Sequence, residues 1–268
     1  MALIHHYKLE NDLTDSIGGL TATCTTDISY DQAKIRNGAI LQSHQIVLPN
    51  FSFSPTDDFS YSIWFKLSNL TTAAQTLLCN RVKTGTGITL FIIGKKLRFD
   101  TENQTTYSTE LQPNIMYNAT IVRRGNTKRL YLNGIEEVPS VGTNDIAAPN
   151  IAVGTYTTIG ASDNPITNFL MGIIDYVRIY DHALSEREVR DLNLGLVAHF
   201  KFDNDLYDHA QYTLGKPLNE PVYGKGKFGN ALVRTTSYNR VDLETPMNIT
   251  NGVSYAFWLY YDYDAKVS

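Results

Sequence analysis

The sequence predicts an all-β protein, a jelly-roll β-sandwich of two antiparallel sheets with one short helix. Three observations carry that expectation. Short runs alternate apolar and polar residues, the pattern of a strand with one buried face. Turn clusters rich in Gly, Asn and Thr separate those runs at regular intervals, as in sandwiches and barrels. Composition agrees: Tyr (17) outnumbers Phe (11) and Trp (2), and charged residues make up 19% of the 268, below the usual quarter. A hydrophobic share of 43% supplies a core and excludes a disordered chain. Lys and Arg number 23 against 27 Asp and Glu, a net charge of −4 that is too weak to draw the protein to nucleic acid or an anionic membrane.

In chain order, the first strand is expected at Leu3 to Leu9. Leu3, His5, Tyr7 and Leu9 share one face, read as core, and His6, Lys8 and Glu10 share the other, read as solvent or sheet edge. Further strands are expected at Tyr61–Leu67, Thr76–Val82, Ile88–Ile93, Lys96–Asp100, Met116–Arg123, Arg129–Leu132, Tyr156–Ile159 and Gly172–Tyr180. Lys83-Thr84-Gly85-Thr86-Gly87, Arg124-Gly125-Asn126 and Asn133-Gly134 are turns between them, the last suited to a tight hairpin because both residues accept positive φ. Trp64 and Trp258 are expected to fill sandwich cores. The helix follows Ser185: Glu188 completes a capping box, Val189 and Leu192 supply an apolar side, and Gly195 ends it.

The chain also repeats itself. Leu3-Ile4-His5-His6-Tyr7-Lys8-Leu9-Glu10-Asn11-Asp12-Leu13-Thr14-Asp15 matches Leu196-Val197-Ala198-His199-Phe200-Lys201-Phe202-Asp203-Asn204-Asp205-Leu206-Tyr207-Asp208. Lys34-Ile35-Arg36-Asn37-Gly38-Ala39 is answered by Lys227-Phe228-Gly229-Asn230-Ala231, and Ser60-Tyr61-Ser62-Ile63-Trp64-Phe65 by Ser254-Tyr255-Ala256-Phe257-Trp258-Leu259. Three blocks in one order at a nearly constant offset predict a tandem duplication: a β-sandwich over 1–194 and the N-terminal part of a second over 195–268. The second copy stops soon after its Trp strand, so the expectation is that the natural chain continues or that another subunit supplies the missing strands.

Several motifs together resemble one family. Gly172-Ile173-Ile174-Asp175-Tyr176-Val177-Arg178-Ile179-Tyr180-Asp181-His182-Ala183-Leu184-Ser185-Glu186-Arg187-Glu188-Val189 resembles the closing motif of LamG-like domains, of the concanavalin A-like lectin/glucanase superfamily. Leu130-Tyr131-Leu132-Asn133-Gly134 is similar to that family's hairpin, and Ser62-Ile63-Trp64-Phe65-Lys66-Leu67 to its Trp strand. The resemblance implies a jelly roll used for binding glycans or proteins outside cells or on virus particles. It does not by itself imply catalysis.

Chemistry-bearing residues are sparse. Glucanases of the superfamily carry glutamates around an aspartate on one strand, because glycoside hydrolysis needs paired carboxylates. No E-x-D-x-E or E-x-D-x-x-E string occurs; Glu136 and Glu137 follow a hairpin and Glu186 and Glu188 lie on the helix. His5, His6, His44, His182, His199 and His209 show no metal-ligand spacing, and no nucleophile elbow or phosphate loop appears. The resemblance implies calcium as the cofactor to test, held by rim-loop carboxylates, with Asp12, Asp15 and Asp175 as ligands. The alternative is that these aspartates cap backbone amides in turns. Tyr107 and Tyr156, flanked by amide and hydroxyl residues, are the expected glycan-binding rings, although either could anchor a protein interface or point into the core.

Cys24 and Cys79 lack a C-x-x-C partner, so they are expected either to pair or to stay as two buried thiols. The N-x-[ST] sequons at Asn50, Asn69, Asn103, Asn118 and Asn248 carry little weight in a chain this rich in Asn and Thr. No apolar run approaches a membrane span, so no membrane insertion is expected. Residues Met1 to Lys8 show no basic n-region followed by an apolar h-region, so the expectation is a chain that starts almost directly with structure. These readings lead to a non-enzymatic adhesion or recognition module of a virion surface or extracellular assembly, such as a phage fibre or capsid decoration protein. Its expected partner is a glycan or a protein neighbour, and the alternatives are a structural spacer or oligomerisation domain, or a glycoside hydrolase.

Overall fold

The computed structural model describes residues 2–49, 53–54, 56–83, 86–101, 103–146, 157–162, 166–193, 199–206, 215–234, 240–242 and 256–260. The chain divides into two compact units, Met1–Gly195 and Leu196–Ser268. The first unit runs β1 (Leu3–Tyr7), β2 (Thr23–Cys24), β3 (Ser29–Gln32), β4 (Asn37–Gln42), β5 (Ile46–Val47), β6 (Phe59–Leu67), β7 (Gln75–Lys83), β8 (Thr86–Ile93), β9 (Lys96–Asp100), β10 (Gln104–Glu110), β11 (Met116–Arg124), β12 (Thr127–Leu132), β13 (Ile135–Glu136), β14 (Pro139–Val141), β15 (Thr158–Ile159), β16 (Met171–Tyr180) and helix α1 (Glu186–Asn193). One sheet has the order β13-β12-β11-β6-β16-β4-β3, with β1 also pairing β16; the other has the order β14-β10-β9-β8-β7-β15-β5-β2. Every pairing is antiparallel, so the unit is the two-sheet sandwich that the alternating runs predict, consistent with a jelly roll.

Alternation decides what enters the core. On β6 the odd residues Phe59, Tyr61, Ile63, Phe65 and Leu67 are inside, where burial of each large apolar side chain contributes about 1.5–3 kcal/mol. Leu90, Ile92, Leu97 and Phe99 of the opposite sheet are buried in the same cluster. The even residues Ser60, Ser62 and Trp64 therefore face the other way. Trp64 is buried, but not in the sandwich core as expected. It stands between Asn118 and Asp175 on the neighbouring strands, with Lys34 Nζ 4.7 Å from its ring centroid.

The first strand also departs from its predicted faces. A register shift between Leu3 and His5 breaks the alternation, so Ile4 packs on the main core and Leu3 on a smaller cluster. Tyr7 and Leu9 enter the core as expected. His6 is fully buried rather than solvent-facing, with its ring edge-on to Tyr176 at 5.1 Å. Burial, then the charges of Arg178 and Lys8, hold its pKa well below the usual value, so it is neutral at pH 7.

Strand β16 organises the sheet. One edge pairs β6; the other pairs β4 over Met171–Ile174 and then β1 over Val177–Tyr180. The exchange of partners falls at a bulge between Asp175 and Arg178, where Tyr176 takes φ 45°. The Asn133-Gly134 turn joins β12 to β13 with both residues at positive φ, 52° and 78°. Helix α1 starts as its capping box predicts: Ser185 N and Oγ donate to Glu188 Oε2 at 2.8 and 2.7 Å. Its Val189 joins Val122, Tyr131, Tyr180 and Leu184 in the smaller cluster. Gly195, its expected terminator, lies outside the described residues.

Cys24 on β2 and Cys79 on β7 are both free. Strands β5 and β15 stand between theirs in the sheet, and three interstrand steps of about 4.8 Å exceed the reach of a disulfide. Asn118 is buried and donates to Ser62 Oγ at 3.0 Å, so that sequon is closed to a glycan.

In the second unit β17 (Lys216–Pro217) pairs β20 (Val241–Asp242), and β18 (Val222–Lys225) pairs β19 (Asn230–Val233). Several details match the first unit at repeat-related positions. Leu9 and Phe202 have φ 58° and 56°, and Asn11 and Asn204 have φ 68° and 66°. Asn37 Nδ2 donates to Asn11 Oδ1 at 3.0 Å, and Asn230 Nδ2 donates to Asn204 Oδ1 at 2.8 Å. Lys227 Nζ lies 5.4 Å from the Trp258 ring, as Lys34 lies over Trp64. Contrary to expectation, Trp258 is 73% exposed, because among the described residues no strand pairs with 256–260.

Candidate functional site

A cleft of about 370 Å³ opens between the β11–β12 hairpin and the entry to α1, lined by Val122, Arg124, Thr127, Arg129, Tyr131, Leu184, Ser185, Glu186 and Arg187. Hairpin register builds one wall. Val122 is opposite Arg129 and Arg124 opposite Thr127, so these side chains share the face away from the sandwich core. Leu184 N donates to Ser60 Oγ at 2.9 Å and anchors the facing wall. Val122, Tyr131 and Leu184 are buried and form an apolar floor, while Arg124, Arg129, Glu186 and Arg187 are exposed at the rim. Arg129 is ion-paired with Glu136, which holds the guanidinium pKa above its ordinary value. Arg124 Nη2 makes two long bonds of 3.4 Å to the carbonyls of Ala183 and Leu184.

Of the glutamates weighed for hydrolysis only Glu186 lines this cleft, and none of the expected ligand residues Asp12, Asp15, Asp175 and Tyr107 does. Tyr107 is fully buried in the core, and its hydroxyl donates to Asn144 Oδ1 at 2.9 Å. The expectation of an exposed glycan-stacking ring is therefore corrected: Gln104–Glu110 is a strand, and its register turns Tyr107 inward. Burial, then Glu136 and Glu137, raise that phenol's pKa. Tyr156 lies outside the described residues.

The three aspartates are in separate places. Asp12 Oδ1 accepts from Thr14 N at 2.8 Å. Asp15 Oδ1 accepts from His6 N at 2.8 Å and Ile17 N at 3.0 Å, and Oδ2 faces His5 Nδ1 at 2.7 Å. Burial opposes the charge of Asp15, but these bonds and His5 hold its pKa below the usual value. Asp175 Oδ2 accepts from Lys34 N and Ile35 N, both at 3.1 Å, while Oδ1 is buried without a partner. Burial, with Glu10 adding to it, pushes that carboxyl well above its ordinary value. Among the described residues no three His, Cys, Asp or Glu side chains are placed to hold a metal ion. The aspartates as placed serve backbone amides and do not form a shared calcium ligand set.

The model of the concanavalin A-like lectin/glucanases superfamily matches residues 41–190, more than half of the chain. The chain belongs to that superfamily. No curated protein matches it. Among solved structures it is similar to domain 4 of AbnA, a GH43 extracellular arabinanase from Geobacillus stearothermophilus, in complex with arabinotriose. Identity there is 22% and TM-score 0.58, over 70% of this chain and 97% of that one. The receptor binding domain of botulinum neurotoxin C/D mosaic serotype aligns at 18% identity and TM-score 0.57, over 89% of this chain and 64% of that one. The binding domain of Paraclostridial Mosquitocidal Protein 1 aligns at 17% and 0.59, over 82% and 57%. The chain thus spans less than two thirds of either toxin domain, and at these identities the likeness is one of fold.

Of the four glutamates weighed for an acid–base role in this concanavalin A-like chain, Glu186 lines the cleft and the other three are engaged elsewhere. Glu137 takes the N–H and hydroxyl of Thr109, Glu136 takes Arg129, and Glu188 takes Ser185. The cleft itself carried a signal that sequence reading missed. Arg124, Thr127, Arg129 and Tyr131 fall on one face once the Gly125-Asn126 turn pairs the two strands. The facing wall comes some 55 residues later in the chain, at a distance no spacing rule reaches.

Proposed function

We propose that this chain is a non-catalytic recognition module that binds glycan in the cleft between the β11–β12 hairpin and α1. The observation that carries the reading is the make-up of that cleft: an apolar floor of Val122, Tyr131 and Leu184 under a rim of guanidinium and carboxylate groups. A sugar ring offers the complementary surface, an apolar face edged with hydroxyls. The engagement of Glu136, Glu137 and Glu188 in ion pairs and hydrogen bonds supports binding over hydrolysis. So does the resemblance to an arabinanase domain seen with arabinotriose and to two toxin binding domains. The proposal sets the module on an extracellular or virion-surface assembly, where glycans are displayed. It also makes the second unit a tandem copy of the first, supported by the matching Asn–Asn bonds, backbone angles and Lys–Trp contacts.

The test is a glycan array with the full chain, run with calcium and again with chelator. Binding in both conditions is expected, because the aspartates already hold backbone amides. Binding abolished by chelator would restore calcium to the site, and no binding at all would end the glycan reading. A second reading, a protein neighbour, draws on Ile135, Val138 and Val141, exposed at 71%, 68% and 67% beside the sheet-edge strands β13 and β14. It expects self-association or partner capture that charged substitutions at these three positions abolish.

A further inference from the structure

We propose that the cleft selects saccharides bearing a carboxylate, of the uronic or sialic acid class; this rests on the glycan reading above and narrows it. Unpaired guanidinium groups carry it. Three guanidinium groups, Arg124, Arg129 and Arg187, face three carboxylates, Glu136, Glu186 and Glu188. Glu136 is paired with Arg129, and Glu188 is held by Ser185 N and Oγ in the helix cap. Glu188 keeps its charge there, so the two signs balance in number, but of the three guanidiniums only Arg129 is in an ion pair among the described residues. Among the described residues Arg187 makes no hydrogen bond or ion pair, and Arg124 makes only its two long carbonyl contacts.

Guanidinium groups at the rim of an apolar floor favour a planar carboxylate, which each can grip through two parallel N–H donors. The sugar ring then rests on Val122, Tyr131 and Leu184, and Glu186 accepts from a ring hydroxyl. A neutral sugar gains the floor and the hydroxyl contact but leaves the guanidinium groups unmatched.

The full chain is titrated by calorimetry with sialyllactose, a glucuronic-acid disaccharide and lactose. Either acidic probe is expected to bind at least about tenfold more tightly than lactose and to weaken as salt rises, since a charge-assisted hydrogen bond contributes at least one factor of ten. Arg187→Gln, an exposed change, and Arg124→Gln should each weaken the acidic probe by about tenfold and lactose by much less. A thermal melt of each variant separates this effect from unfolding. Lactose binding as tightly as the acidic probes, or acidic binding unchanged in both variants, overturns the inference and leaves glycan binding standing. Binding of neutral array glycans with no response to either acidic probe has the same meaning. No binding to any probe or array glycan overturns both readings.

Discussion

Lys128 offers the sharpest test of how the sandwich is held closed. It lies on β12 between outward-facing Thr127 and Arg129, and its ammonium is directed across to the other sheet. Nζ donates to Phe99 O at 3.1 Å, Thr101 Oγ1 at 3.1 Å and Asn103 O at 2.6 Å, with the side chain fully buried. Burial lowers its pKa from 10.5 to about 8, despite the help of Asp100. At about 1.4 kcal/mol per unit, that shift corresponds to a cost of about 3 kcal/mol for keeping the charge inside. Replacement by Met removes this cost but orphans three acceptors, at about 1–3 kcal/mol each. At the middle of that range the loss prevails by about 3 kcal/mol, so Lys128→Met should destabilise by about 2–4 kcal/mol and lower the melting temperature by about 5–15 °C. A second signature is pH. The unfolded chain binds the proton more tightly than the folded one, so wild-type stability should rise between pH 8 and 10.5, and the Met variant should lack that rise. Chemical denaturation across this range reads both effects. An unchanged or raised melting temperature, or a wild type flat in that window, would refute the reasoning.

The other predictions concern residues whose expected roles the structure revised. Asp175→Ala should cost about 2–4 kcal/mol, because it strands the N–H groups of Lys34 and Ile35. Asp175→Asn keeps an acceptor. Because the folded pKa lies above the ordinary 3.8, the Asp175 contribution to stability should fall as pH rises from about 4, so in urea unfolding the wild type should lose stability relative to the Asn variant over that rise. Equal slopes would show that Asp175 does not titrate as inferred. Tyr107→Phe removes one bond to Asn144 and should cost about 1 kcal/mol without changing saccharide affinity. Lost affinity with an intact melt would return that ring to the ligand.

Much of the sandwich was legible because its central strands alternate cleanly and its turns use Asn and Gly where φ must be positive. Lys96–Asp100 matches its expected bounds, and Met116–Arg124 and Met171–Tyr180 each run one residue longer than expected. Strand β10 was not legible. Its Gln, Thr and Ser side chains look like a loop, and only pairing with β9 shows that Thr105 and Tyr107 are the buried side of a strand. His6 and Trp64 were misplaced for a different reason. One lies beyond a register shift, and the other is covered on the sheet's outer side, where polar neighbours such as Ser62 and Asn118 satisfy one another. The candidate cleft depends on two segments meeting through tertiary packing, information that local periodicity does not contain.

The position of β16 has a consequence for how the protein is made. It is the last strand of its unit to be synthesised, yet it lies inside the sheet, between β6 and the pair formed by β4 and β1. Until Met171–Tyr180 has left the ribosome, the sheet exists only as two blocks with open edges facing a gap: β6 with β11, β12 and β13 on one side, β3 and β4 on the other. The first unit therefore cannot fold strand by strand as it emerges. Its nascent form presents a vacant β-strand slot flanked by apolar residues, which leaves insertion of its own last strand in competition with any other strand nearby until synthesis passes Tyr180.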